Sequence, residues 1–191
     1  VKKESILLGI TGAFGSGKST ASDFFVKHGF TKIRLSSLLE DALQKQTNQA
    51  NITRKMLQDL GNEWREKEGA AVLAKKALAL IAEKQLDRVV IDGIRSMSEV
   101  ETLCTNPNFC LLAVVADREK RLTRLEQNPR RERLDLKSFA QLDYRDLGVG
   151  EKETGLQTGM CIALADVFVI NNGTVESFEK QLAQYIYEGI K

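Results

Sequence analysis

The sequence predicts a three-layer α/β fold: a five-stranded, mostly parallel sheet flanked by helices, in one domain spanning residues 1–191. Three observations carry this expectation. Short apolar runs alternate with helical patterns along the whole chain, as successive βα units require. The first apolar run, Ile6 to Ile10, leads directly into a glycine-rich turn and then into a helix. No internal repeat, low-complexity tract or linker divides the chain, and a 42% hydrophobic content over 191 residues is enough for a sizeable core.

Taken in order, Ile6 to Ile10 reads as a buried parallel strand. After the turn, Ala21, Phe24, Phe25 and His28 recur at helical spacing, and Gly29 stops that helix. Thr31 to Leu35 is a short strand. Ser36 or Ser37 caps a helix running towards Gln46, and Thr53 caps another with Met56, Leu57 and Leu60 on one face and Gly61 interrupting it. Gly69 to Glu83 is an alanine- and leucine-rich helix, Arg88 to Ile91 a buried strand ending at Asp92, and Ser98 to Leu103 a short helix. Phe109 to Val115 is the next strand, and Asp117 to Glu126 is helical. A charge-dense stretch with Arg130, Arg131 and Arg133 follows, then a helix from Leu136 to Arg145. Gly148, Gly150 and Gly155 mark a mobile connection. Asp166 to Ile170 is the last strand, Asn171-Asn172-Gly173 a turn, and Val175 to Ile190 a terminal amphipathic helix.

Composition excludes several classes. A net charge of +2 argues against a nucleic-acid partner, which calls for a stronger basic excess. Cys104, Cys110 and Cys161 have no metal-ligand spacing, and with His28 the single histidine a zinc site is not expected. They read as reduced thiols of a cytoplasmic protein. No signal peptide and no membrane span are expected, because no apolar run approaches the roughly 20 residues a span needs.

The glycine-rich turn carries the chemistry. Gly12, Gly17, Lys18 and Ser19 complete G-x-x-x-x-G-K-[ST], the phosphate-binding P-loop, within Gly12 to Thr20. Glycines such as Gly12, Gly15 and Gly17 let backbone N–H groups turn inward onto a di- or triphosphate, Ser16 lying among them. Lys18 adds a point charge for the β- and γ-phosphates, the Ser19 hydroxyl can ligate Mg²⁺, and Thr20 is placed for the α-phosphate. The following helix offers its positive N-terminus to the same anion. Val89-Val90-Ile91-Asp92 has the form of a Walker B strand whose carboxylate holds Mg²⁺. Arg95, three residues on, suits phosphate oxygens through its planar fork. The P-loop, Asp92 to Arg95 and Asn171-Asn172-Gly173 all fall at carboxyl ends of strands, where ligands of such folds sit. Three distant stretches are therefore expected at one site.

These residues carry a family resemblance. The chain resembles P-loop nucleotide kinases of the adenylate kinase-like group, with the P-loop NTPase fold. It is most similar to the archaeal-type adenylate kinase-related or dephospho-CoA kinase-like proteins. The resemblance runs through Gly12 to Thr20, Asp92-Gly93-Ile94-Arg95 with Glu99-Val100-Glu101, and Ala165 to Gly173. Thr53 to Arg65 is similar to the acceptor segment of deoxynucleoside monophosphate kinases, an R-x-x-L-Q-x-L-G pattern. Asp92-Gly93-Ile94-Arg95 is similar to the D-G-x-P-R of adenylate kinases, without the proline and with the arginine one residue earlier. Ala165 to Gly173 is similar to the last strand and turn of dephospho-CoA kinases. Those enzymes carry an aspartate after the second strand as a base for a ribose hydroxyl; here Leu35-Ser36-Ser37 stands there, with Glu40 and Asp41 one turn later. A monophosphate acceptor is already an anionic nucleophile and needs no base, so the missing aspartate favours it.

The resemblance implies ATP and Mg²⁺, a nucleotide-like phosphate acceptor, an acceptor-binding insertion over about 36–68 and an arginine-rich lid over about 121–150. Arg54, Gln58 and Arg65 share one helix face as an acceptor rim, joined by Arg95. Arg121 and Arg124 are expected to neutralise charge on the transferring group, and Asn171 and Gly173 to border the adenine. Trp64 reads as packing. A nucleotide-binding regulator without an acceptor is the alternative class; no N-K-x-D guanine motif is present.

Overall fold

Five strands form one sheet in the computed structural model, which describes residues 5–47, 52–127 and 135–187. They are β1 (Ile6–Thr11), β2 (Thr31–Arg34), β3 (Arg88–Asp92), β4 (Phe109–Val115) and β5 (Val167–Ile170), in the order β2-β3-β1-β4-β5. All four neighbouring pairs are parallel, and β1 is central. The register sets Ile10 opposite Asp92 and Val115 opposite Ile170, which levels the carboxyl ends of β1 with β3, and of β4 with β5.

Side-chain alternation separates two cores. On one face Leu8, Ile10, Val90, Leu112 and Val114 meet Phe24 and Phe25 of α1 (Lys18–Lys27) and Phe178 and Leu182 of α9 (Val175–Tyr187). On the other, Leu7, Val89, Ile91 and Leu111 meet α2 (Leu35–Thr47), α3 (Arg54–Glu68), α4 (Val72–Glu83), α5 (Met97–Leu103) and α8 (Thr158–Ala163). Burial on both faces is why these strands are almost continuously apolar. A third, small cluster packs Leu125 of α6 (Arg118–Glu126) and Phe139 of α7 (Leu136–Leu147) on Phe14, in the turn after β1. The expected three-layer architecture is the observed one, with every strand pair parallel among the described residues.

Some local expectations are corrected. Gly61 does not interrupt a helix: α3 runs through it, and a Cβ there would lie 3.1 Å from Arg65 Nη1 and 3.3 Å from Leu39 Cδ1. The glycine is a site of close helix packing, not a breaker. Thr53 does cap α3, its hydroxyl accepting from Met56 N–H. α2 starts directly from β2 at Leu35, with Ser37 Oγ donating to the Arg34 carbonyl. α4 starts at Val72 rather than at Gly69. A short helix not expected from the sequence, α8, follows the connection over residues 148–155, and Gly148 ends α7 in a left-handed cap. Trp64 packs against the α2–α5 core, as expected. Arg130, Arg131 and Arg133 lie outside the described residues. Among the described residues no helix is long and apolar enough to cross a membrane.

Candidate active site

The turn between β1 and α1 has the conformation its glycines permit. Gly12, Gly15 and Gly17 have φ of 147°, 80° and 105°. A Cβ on Gly12 would run into the Val114 carbonyl, so the loop is pressed against the end of β4. Lys18, only 9% exposed, folds back so that Nζ donates to the carbonyls of Gly12 at 2.6 Å and Ala13 at 3.0 Å. Burial, with the charges of Arg95 and Arg54 added, pushes its ammonium down to about 7, against the pull of Asp146 and Asp92. Ser16 Oγ is buried with no hydrogen-bond partner.

Asn171 and Arg124 hold this loop from the β5 side. Asn171 Nδ2 donates to the Ser16 carbonyl at 2.9 Å, and Arg124 Nη2 donates to the Asn171 carbonyl at 2.8 Å. Asn171 was expected to border the adenine and Arg124 to neutralise charge on the transferring group; here the Asn171 amide and Arg124 Nη2 brace the turn, while Arg124 Nη1 is buried without a hydrogen-bond partner. Gly173 lies beside Ser177 in the turn to α9. Ser19 and Thr20 are exposed in the first turn of α1. Ser22 Oγ lies 2.9 Å from the Ser19 carbonyl and 3.1 Å from Asp92 Oδ2, and Lys32 Nζ is 3.5 Å from that carboxylate oxygen. The two residues expected to hold the metal would offer one exposed hydroxyl, Ser19, and one buried carboxylate, Asp92. That set fits Mg²⁺, which takes few protein ligands and completes its shell with water and phosphate oxygens. The loop with its unpartnered Ser16 Oγ likewise fits a polyphosphate.

Three elements converge on a carboxylate that the sequence did not single out. Asp146, on α7 and fully buried, accepts from Arg54 Nη2 of α3 at 2.6 Å and from Arg95 Nη1, which follows β3. Arg54 also lies over the Phe14 ring, 4.4 Å from its centroid. Burial alone would raise the Asp146 carboxyl; Arg95 and Arg54, with Lys18 behind them, outweigh it and hold the group down to about 2. The second Asp146 oxygen is buried without a hydrogen-bond partner. One turn earlier, Asp143 pairs with Arg121, whose Nη2 reaches Oδ2 at 3.0 Å and whose Nη1 donates to the Phe14 carbonyl at 2.9 Å. Arg121, expected to neutralise charge on the transferring group, is 6% exposed and anchors α6 and α7 to the P-loop turn.

The acceptor rim divides. Arg54 and Arg95 meet, 41 residues apart in sequence. Gln58, one turn beyond Arg54, is 5% exposed, with both ends of its amide unpartnered. Arg65 does not belong with them: it is 2% exposed and donates to the fully buried Glu99 at 2.9 Å. Glu99 in turn accepts the N–H groups of Arg95 and Ser96 at 2.9 and 3.1 Å. An arginine so enclosed supports the Arg95 backbone and cannot grip a ligand from the rim. The signal for Asp143 and Asp146 was present in sequence, because with Phe139 they fall at i, i+4 and i+7 on the inner face of α7.

No protein-family model matches the chain. It is 30% identical over 182 residues to a UPF0200 protein of Methanothermobacter thermautotrophicus, covering 95% of this chain and 89% of the relative. A UPF0200 protein of Thermococcus kodakarensis is 30% identical over 188 residues, with 94% and 95% covered. Among solved structures, a Thermus thermophilus protein superposes with a TM-score of 0.59 at 22% identity, over 97% of this chain and 98% of that one. Shikimate kinase from Acinetobacter baumannii gives 0.58 at 15% identity, over 96% and 94%. These likenesses show the fold.

Proposed function

The chain belongs to the UPF0200 family, and from the site it carries we propose that it is an ATP- and Mg²⁺-dependent phosphotransferase acting on a nucleotide-like small molecule, a (deoxy)nucleoside monophosphate being the favoured acceptor. One observation carries the reading: Arg54 and Arg95 converge within the electrostatic reach of the P-loop lysine, which is where an acceptor phosphate must meet a donor phosphate. Kinase neighbours of the same fold add support.

In this reading the loop amides and Lys18 position the donor phosphates, while Ser19 and Asp92 hold Mg²⁺. ATP supplies the γ-phosphoryl group. Arg54 and Arg95 orient the acceptor, Gln58 offers a donor and an acceptor to its base, and the α6–α7 pair, pinned by Arg121–Asp143 and Phe14–Phe139, keeps water out. The protein's work is positioning and charge neutralisation. A hydroxyl acceptor, as in dephospho-CoA kinases, is the second reading, because Asp146 has a carboxylate oxygen without a donor in this cluster. A carboxyl held at about 2 is a poor proton acceptor near neutral pH, which favours the anionic acceptor.

A coupled ADP-release assay with AMP, CMP, UMP, the deoxynucleoside monophosphates and dephospho-CoA tests the proposal. A monophosphate is expected to raise ADP release well above the acceptor-free rate. No response to any of them would move the protein to the regulator class. ATP binding itself is expected to take up a proton near pH 8. The Lys18 amine is mostly neutral there in the free protein, with its ammonium at about 7, and polyphosphate favours the charged form. Calorimetric binding heats that do not vary with buffer ionisation enthalpy would contradict this.

A further inference from the structure

We infer that Asp146 is a resident stand-in for the acceptor's phosphate: its carboxylate occupies the Arg54–Arg95 cradle in the free protein, and a phosphate monoester dianion binds by exchanging with it. The inference rests on the phosphotransferase reading for the identity of the incoming ligand, but its geometry does not. Two arginines from separate elements, α3 and the segment after β3, aim at one carboxylate oxygen on α7. The two guanidinium groups are 21% and 16% exposed, and an anion held between them offsets the repulsion of bringing two like charges together. The carboxylate fills the cradle incompletely. Its Oδ2 has no donor although it is buried. A phosphate monoester brings up to two charges and three oxygens, and matches the planar forks of both arginines.

The exchange does not require α7 to leave. The neighbouring Arg145 pairs with Asp59 of α3 at 2.8 Å and with Glu151 at 2.6 Å, and Asp143 keeps its own pair with Arg121. These contacts hold the helix on either side while the Asp146 side chain turns away. The device suppresses occupation of the cradle by weak anions and makes acceptor binding a competition with an internal carboxylate.

Titration calorimetry with inorganic phosphate tests this on three proteins: wild type, Asp146→Asn, and Asp146→Asn combined with Arg54→Met and Arg95→Met. Asp146→Asn should bind phosphate at least tenfold more tightly than wild type, and the triple variant should lose that gain, which separates the cradle from the P-loop. AMP against adenosine then distinguishes an acceptor phosphate from free phosphate. Equal or weaker phosphate binding by folded Asp146→Asn would overturn the inference. Should that variant not fold, carbon NMR of the wild-type Asp146 carboxylate decides. Saturating phosphate should move its resonance and raise its titration; an unmoved resonance, or no phosphate binding, overturns the exchange. A phosphate gain without turnover on any acceptor sinks the functional reading and leaves the exchange standing. Turnover without the gain does the reverse.

Discussion

Lys18→Ala is expected to lower phosphotransfer by roughly 10²–10³ in kcat or more, the scale set by loss of one preorganised charged donor, while the protein stays folded. The fold should tolerate the change because Lys18 bonds only its own loop, at the Gly12 and Ala13 carbonyls, and because its burial is costly for the charged form. The ammonium falls from 10.5 to about 7 on folding. Between those values the unfolded chain holds a proton that the folded chain has lost, so this group's contribution to stability rises with pH across that window. Below pH 7 the full penalty is present. Lys18→Ala lacks the term, so wild type should gain thermal stability relative to the variant between pH 7 and 9. Turnover at the wild-type rate in the variant would end the P-loop kinase reading. A parallel pH dependence of the two melting temperatures would end the account of the buried amine.

How much of this was legible in sequence depends on how local each constraint is. The P-loop is dense: strand, glycines, lysine and hydroxyl lie within fifteen residues, and each does work that no other residue type does. The sheet was legible because strands buried on both faces must be apolar throughout. The acceptor side was half legible. Arg54 and Arg95 were singled out and do meet at one carboxylate, but Arg65, on the same polar stripe as Arg54, is buried against Glu99. Polar spacing on a helix cannot show that a carboxylate 34 residues further on, Glu99, closes over one of its members. Asp146 was missed for the same reason, since its partners are 92 and 51 residues away. Gly61 misled because a glycine that admits a neighbouring helix looks, in sequence, like one that ends its own. α8 escaped because six residues among glycines carry too little periodicity to register.

Arg65→Ala should be the most destabilising single change at the site's periphery. It leaves Glu99 buried and charged without its cation, and breaking such a pair costs about 3–5 kcal/mol. For a domain of this size that lowers the melting temperature by roughly 6–20 °C. The loss should fall towards the low end, because Glu99 keeps the N–H groups of Arg95 and Ser96 as donors. Replacing both partners with hydrophobic residues, Arg65→Met with Glu99→Leu, should recover part of the loss, since neither charge is then stranded. It should also release the Arg95 backbone, which Glu99 holds, so the double variant is expected to be more stable than Arg65→Ala and yet to bind acceptor less well. A rim residue that touched the acceptor would behave otherwise. Its removal would raise the acceptor KM far below the melting temperature and leave the melting temperature nearly unchanged. Melting curves and acceptor KM on Arg65→Ala and the double variant therefore separate a ligand contact from a buried strut. The 2% exposure of Arg65 argues for the strut.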